Sequence, residues 1–327
     1  LSRLRDLAVL GLALAALPGC WVAKVAALQT SALFSSPRAV PRTNTPVSKD
    51  ARLAVLWIGH STALVQLDDK VILTDPVFTS TVGQVEKRLV EPGLDVKDLP
   101  PVDAVLVSHL HFDHLSLGSL GMIEPKVKTL LMPSGGTAYL TGRFAFPSYE
   151  LRTWQAWEKD DLRVTAVPVS HAGGRYGVDA PWMPRSFTGY VVEYHGLKVY
   201  FGGDTAYDQA CFVAVGERFP NLDLALLPIA PIEPRSVMRK HHLDPRQALL
   251  AFVDLGAARM VPIHYATFYK GTDAIEDPLR ELVAAEKEIG LGDRIVAPLA
   301  IGERRVFVKA EPAEEKEPAS SDDDASE

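Results

Sequence analysis

The stretch "SHLHFDHL", Ser108–Leu115, places His109, His111, Asp113 and His114 within six consecutive positions. The chain has nine histidines in 327 residues, so a third of them fall here. The stretch follows the apolar run "VDAVLV", residues 102–107, which reads as a strand. Side chains two apart on an extended chain face the same side, so His109 and His111 can converge on one ion. Asp113 and His114 follow and can serve a second. Nitrogen and oxygen donors of this kind fit zinc, with iron or manganese as substitutes. A donor set without cysteine that mixes in carboxylates fits a catalytic site with open positions better than a closed structural one.

Working outward, three more apolar runs finish in a residue able to bind metal: "TAVPVSH" at His171, "KVYFGGD" at Asp204 and "MVPIH" at His264. Strand ends and the loops beyond them are where folds place ligands, because the sheet fixes the backbone while the loop reaches the site. Other short apolar runs, "LAVLWIG", "STALVQLD", "KVILTDP", "KTLLMPS", "TGYVVEYH", "LDLALLPI" and "RIVAPL", also read as strands. Two helices carry start and stop signals. "DPRQALLAFVDLG" has Asp244 to cap, Pro245 in the first turn and Gly256 at the end; "DPLRELVAAEKEIGLG" repeats the scheme with Asp277, Pro278 and Gly290. An order of mostly strands with helices interspersed predicts layered α/β architecture, helices outside buried sheets.

The remaining composition bounds the function. The tail "EPAEEKEPASSDDDASE", within residues 310–327, holds eight acids and one lysine, which accounts for the whole formal charge of −7. The body is neutral, so nucleic acid is not an expected partner. The tail reads as solvated and disordered. At the other end, residues 1–20 have Arg3 and Arg5, then an apolar stretch from Leu7 to Leu17, then "LPGC". That is the layout of a secretory leader of lipoprotein type, with Cys20 as the lipidation site. It implies an exported protein of the bacterial cell envelope, anchored at a membrane surface. Residues 21–50, rich in serine, threonine and proline toward the end, read as a tether or irregular arm, and residues 51–309 as one domain.

With "HLHFDH", His171, Asp204 and His264 in place, the chain resembles the metallo-β-lactamase fold superfamily. The blocks "WIGHSTALVQLDDKVILTDPVF", "LPPVDAVLVSHLHFDHL", "FGGDTAY", "LDLALLPIAPIEPR", "HHLDPRQAL" and "IHYATF" are similar to its N-acyl-phosphatidylethanolamine-hydrolysing phospholipase D branch. The resemblance spans residues 52 to 308 and implies a four-layer αββα sandwich with two Zn2+ at one edge. His109, His111 and His171 would hold the first, Asp113, His114 and His264 the second, and Asp204 would bridge both. A hydroxide shared between the ions would be the nucleophile, with the cations about 3.5–4 Å apart stabilising charge on phosphate oxygens.

The resemblance also assigns supporting roles. Asp75, in "LTDP", would accept a ligand imidazole N–H from behind the metal site, or serve as a turn aspartate before proline. His60, in "GHST", would do likewise or bond to backbone. His242 would lie near the phosphate and act on substrate or leaving group; the other reading puts it in the turn before Asp244. Arg175 would neutralise a phosphate through a forked contact. Arg235 reads as a structural ion pair, His241 as a surface residue, and His195 as part of a hairpin turn. Trp154, Trp157, Trp182 and Phe187 either contact acyl chains or pack in the core. Ala172, Tyr265, Pro231, Ile232 and the loop "TSTVGQVEKRLVEPGLD" depart from the branch pattern, so the chemistry transfers more readily than the acyl-chain specificity. The expected activity is that of a dinuclear zinc phosphodiesterase acting on a phospholipid, with catalytic roles for Asp113, Asp204 and His242. The alternatives are hydrolysis of lactones, β-lactams or thioesters, and a non-catalytic metal-binding envelope protein.

Overall fold

The strand Ala51–Gly59 sends Leu53, Val55 and Trp57 to one side and Leu56 and Ile58 to the other, and both sides are buried. Alternation with both faces apolar requires that both be covered. In a computed structural model, which describes residues 21–83 and 85–310, they are. One face packs with Val164, Tyr190 and Val199 of a second sheet; the other packs with Leu73, Val105, Leu120 and Ile123. The leader, Cys20 and the acidic tail beyond residue 310 lie outside the described residues.

Each of the two large sheets has seven strands. The first runs, edge to edge, through Arg304–Lys309, Ala51–Gly59, Thr62–Leu67, Lys70–Thr74, Ala104–Leu106, Leu130–Pro133 and Ser148–Leu151. The second runs through Ile295–Val296, Arg259–Ile263, Leu224–Pro228, Leu197–Phe201, Gly189–Tyr194, Leu162–Val167 and Ala156–Lys159. The helix Leu117–Ile123 packs Leu120 and Ile123 on the outer core of the first sheet. The helices Gln209–Arg218 and Pro245–Asp254 bring Phe212, Val215, Leu249 and Phe252 to the core of the second. This is the expected two-sheet sandwich with helical outer layers.

Local signals mostly act as read. The Asp244 side chain accepts from Gln247 N at 2.8 Å, and Gly256 takes φ +65° just past the helix end. His195 and Gly196, both at positive φ, form the hairpin turn between Tyr194 and Leu197. Two readings need correction. The Asp277 side chain does not cap its helix: it lies inside Asp277–Glu286 and accepts from Ala274 N instead, and the helix ends at Glu286, short of Gly290. The first part of the supposed tether is a helix, Trp21–Leu33, because an Ala- and Leu-rich run outweighs the Pro/Ser-rich residues after it. No described helix is long and apolar enough to cross a membrane.

The sandwich presents one end to the chemistry. Strands ending at Gly59, Thr74, Leu106, Val167, Phe201 and Ile263 release His60, Asp75, the histidine-rich loop, His171, Asp204 and His264 within a few residues. Gly203 has φ +57°, and a Cβ there would fall 2.2 Å from Ser108 Cβ, so the Asp204 loop can approach the histidine-rich loop only through glycine. Arg175 fastens that loop. Its Nη1 donates to Leu110 O and Leu115 O, each at 2.8 Å, and its guanidinium lies 4.3 Å from the Phe112 ring centroid. Arg175, read as a phosphate contact, spends Nη1 on these two carbonyls, while its Nε has no partner and the side chain borders the cleft beside Thr79, Phe112 and Tyr176. Arg175→Met is expected to lower unfolding free energy by about 2 kcal/mol or more, measured by urea titration. A phosphate-contact role predicts instead unchanged stability with a raised KM.

Candidate metal centre

Five histidines and two aspartates meet at this end of the sandwich. His109 Nε2 lies 2.9 Å from His111 Nδ1, which lies 3.4 Å from His171 Nε2. His114 Nε2 lies 3.3 Å from His264 Nε2 and 3.5 Å from Asp113 Oδ2, and His264 Nε2 lies 3.8 Å from the same oxygen. Donors about 2.1 Å from a common centre stand roughly 3.0–3.5 Å apart. Two donor triangles thus have the spacing of coordination polyhedra. Asp204 stands between them: Oδ2 is 3.9 Å from His109 Nε2 and 3.3 Å from His114 Nε2, while Oδ1 is 3.0 Å from His264 Nε2.

The outer nitrogens fix which atoms face inward. His171 Nδ1 donates to His241 O and His264 Nδ1 to Ala230 O, each at 2.9 Å. A carbonyl can only accept, so both Nε2 atoms present lone pairs to the centre. Asp75 organises the other side. Its Oδ1 accepts from Ser108 N at 2.7 Å, and its Oδ2 from Ser108 Oγ at 2.6 Å and from His114 Nδ1 at 2.6 Å. Ser108 Oγ, its proton directed to Asp75, accepts in turn from His109 Nδ1 at 3.0 Å. His60 Nε2 donates to Asp113 Oδ2 at 2.9 Å, and His60 O accepts from His264 N at 2.9 Å, joining the two sheets. His60, Asp75 and His264 all hold positive φ, a strained setting that the surrounding bonds enforce.

The electrostatics call for cations. Burial pushes the His171 imidazole down to about 3 and holds His109, His111 and His242 below the usual range, which keeps their lone pairs free. Burial opposes ionisation of Asp113 and Asp204, yet their charged neighbours hold both carboxyls well below the usual carboxylate range. At His114 burial is outweighed by the carboxylates of Asp204, Asp113 and Asp75, which draw positive charge to that spot. Asp204 Oδ1 and His242 Nδ1 are buried without a hydrogen-bond partner. A buried anion and buried lone pairs without donors are costly unless a cation faces them. The residues present fit two metal ions.

Each site residue read from the sequence has a definite place. His109, His111, His171, Asp113, His114, His264 and Asp204 form the two triangles and the carboxylate between them. Asp75 and His60 stand directly behind them. His242 borders both, with Nδ1 3.5 Å from Asp204 Oδ2 and its ring 5.4 and 5.6 Å from those of His171 and His264. Arg235 ion-pairs with Asp244 at 3.0 Å and donates to His242 O at 3.1 Å, bracing that loop. His241, read as a surface residue, is half-buried, and its carbonyl is the one that holds His171. Trp154 and Trp157 pack against the core; Trp182 is exposed; Phe187 pairs with His109 along the backbone and meets the His171 ring edge-on at 6.4 Å. Sequence reading missed Lys270, whose Nζ lies 2.8 Å from Asp113 Oδ2, and Ser108. A loop lysine is ordinarily solvated, so nothing in "FYKG" marks it; Ser108, adjoining His109, was within reach.

The chain matches the family model described as a beta-lactamase superfamily domain over residues 70–265. An uncharacterized protein of Mycobacterium tuberculosis is 33% identical over 248 residues, 72% of this chain and 64% of that protein, so the chain spans somewhat under two thirds of that relative. An N-acyl-phosphatidylethanolamine-hydrolyzing phospholipase D of Caenorhabditis elegans is 29% identical, covering 73% of this chain and 72% of that protein. Among solved structures, an isothiocyanate hydrolase from gut bacteria of Delia radicum superposes with a TM-score of 0.62 at 21% identity, covering 79% of this chain and all of that one. The sandwich, the paired donor triangles and the match across most of the domain together make the chain a member of the beta-lactamase superfamily, with the metallo-β-lactamase fold.

Proposed function

We propose that the chain is a dinuclear zinc phosphodiesterase of phospholipase D type, acting on N-acyl-phosphatidylethanolamine or a related phospholipid. The observation that carries the dinuclear reading is Asp204, whose two oxygens face donors of both triangles. The lipid reading rests on the C. elegans relative and on the room beside the site. One cleft of about 570 Å3 is bounded by Thr79, Val82, Gly83, Phe112, Leu117 and Tyr176; another of about 650 Å3 by Leu151, Arg152, Arg185 and Phe187. Phe112, within the histidine-rich loop, and Phe187, paired with His109, each give one of these clefts an apolar wall, as a substrate with long chains and a charged headgroup would require.

Bound at this centre, a pair of divalent cations would acidify a shared water and offset charge growing on phosphate oxygens. The chain's own residues set the conditions. Asp113 and Asp204 supply the negative charge that balances the cations. The Nδ1 anchors at Ala230 O, His241 O, Ser108 Oγ and Asp75 hold the imidazoles in orientation before any ligand arrives. His242, kept neutral by burial, borders Asp204 where the phosphate would sit and can hydrogen-bond the phosphate or the leaving oxygen. The lipoprotein leader and Cys20 would place this chemistry at the membrane surface of the cell envelope.

Two measurements test the proposal. Zinc-loaded protein offered a panel of phospholipids, lactones, β-lactams and thioesters should release phosphatidic acid and the N-acylethanolamine, lose that activity to a chelator and regain it with zinc. Turnover of the carbonyl compounds with every phospholipid left intact would defeat it. Asp204→Ala should bind less metal and lose about a thousandfold or more in kcat/KM, or about 4 kcal/mol of transition-state stabilisation. Retained turnover in that variant would remove the bridging carboxylate from the mechanism.

A further inference from the structure

Lys270 brings a cation of the protein's own against the carboxylates of the centre. Lys270 Nζ lies 2.8 Å from Asp113 Oδ2 and 2.5 Å from Glu86 Oε2. Asp113 Oδ2 is the same oxygen that faces His114 Nε2 and His264 Nε2 in the second triangle, and it also accepts from His60 Nε2. A ligand carboxylate held by two donors loses the freedom to swing about its own axis. A bare ammonium here would repel a dication, but Glu86 neutralises it, so the Lys270–Glu86 pair orients Asp113 without adding net charge.

The pair is held from a distance. Tyr269 O accepts from Gln29 Nε2 at 3.2 Å and Thr272 O from Lys24 Nζ at 3.0 Å, so the helix Trp21–Leu33 grips the lysine's loop on both sides of Lys270. The same helix grips the glutamate's hairpin, Thr81–Val82 with Glu86–Lys87, because Lys87 Nζ donates to Leu33 O at 3.1 Å. We propose that Lys270 is a positioning residue for Asp113. By fixing the Lys270 loop against the Glu86 hairpin, the N-terminal helix sets the metal affinity of the second donor triangle. The inference rests on the two-cation reading above and adds a residue and a segment that reading does not need.

The test is a competitive zinc titration of the full chain, stripped with chelator, that resolves two affinities, with thermal unfolding of the metal-free protein as a control. Lys270→Met should weaken the second affinity by about 10–100-fold and leave the first unchanged, in a metal-free protein that still unfolds in one cooperative thermal transition. Lys270→Arg should recover part of the loss. Lys24→Met combined with Gln29→Leu should weaken the second affinity in the same direction. If Lys270→Met fails to fold, Glu86→Gln carries the test, since it exposes the dication to an unneutralised ammonium and should also weaken the second affinity alone. An unchanged second affinity, or equal losses at both, overturns the positioning role, and an unaffected helix variant overturns the helix's part in it. Wild-type protein that takes up a single equivalent overturns the two-cation reading and this inference with it.

Discussion

Five imidazole lone pairs and two carboxylates aimed at one another are tolerable only around positive charge, and the rest of the molecule is arranged to keep them there. Histidines that were free to turn would relieve the repulsion by rotating outward. Four of the five are prevented: His171 and His264 by backbone carbonyls, His109 by Ser108, and His114 by Asp75. The left-handed backbone at His60, Asp75 and His264 is part of the same constraint, held by the ladder beneath it and by the bond from His264 N to His60 O.

The sandwich is suited to this because its two sheets end together. Neighbouring strand ends are fixed by cross-strand hydrogen bonds, so side chains far apart in sequence are delivered with little play. Between the sheets, Tyr190 Oη donates to Val107 O at 2.8 Å, and the Trp57 ring stacks on Tyr265 at 4.7 Å, both within a few residues of ligands. Where the chain leaves the strands, buried cations replace the ladder. Arg175 ties the ends of the histidine-rich loop, and Lys270 holds its aspartate. Both positive side chains thus bind oxygens of the histidine-rich loop, Arg175 two carbonyls and Lys270 a carboxylate.

Much of this was legible in the sequence because it is written in local pattern. Apolar runs ending in His109, His171, Asp204 and His264 predicted both the strands and the cluster, and Asp244-Pro245 with Gly256 predicted one helix. What was hidden is tertiary. The contacts of Arg175 depend on which carbonyls of the loop lack donors, and "SHAGGR" does not say. Lys270 acts through a side chain that reaches across from a loop, with Glu86 from a hairpin too short to show alternation. The helix Trp21–Leu33 was concealed by the Pro- and Ser-rich residues after it, and the strands Ser148–Leu151 and Ala156–Lys159 by their half-exposed, charged sequences.

The central claim is that Asp204 joins two cations held by the two triangles. Anomalous scattering at the zinc edge from crystals of zinc-loaded protein measures this directly. The account predicts two peaks about 3.5–4 Å apart, one beside His109, His111 and His171, the other beside Asp113, His114 and His264, with Asp204 oxygens reaching both. A single peak, or two peaks with Asp204 turned away from either, would contradict it.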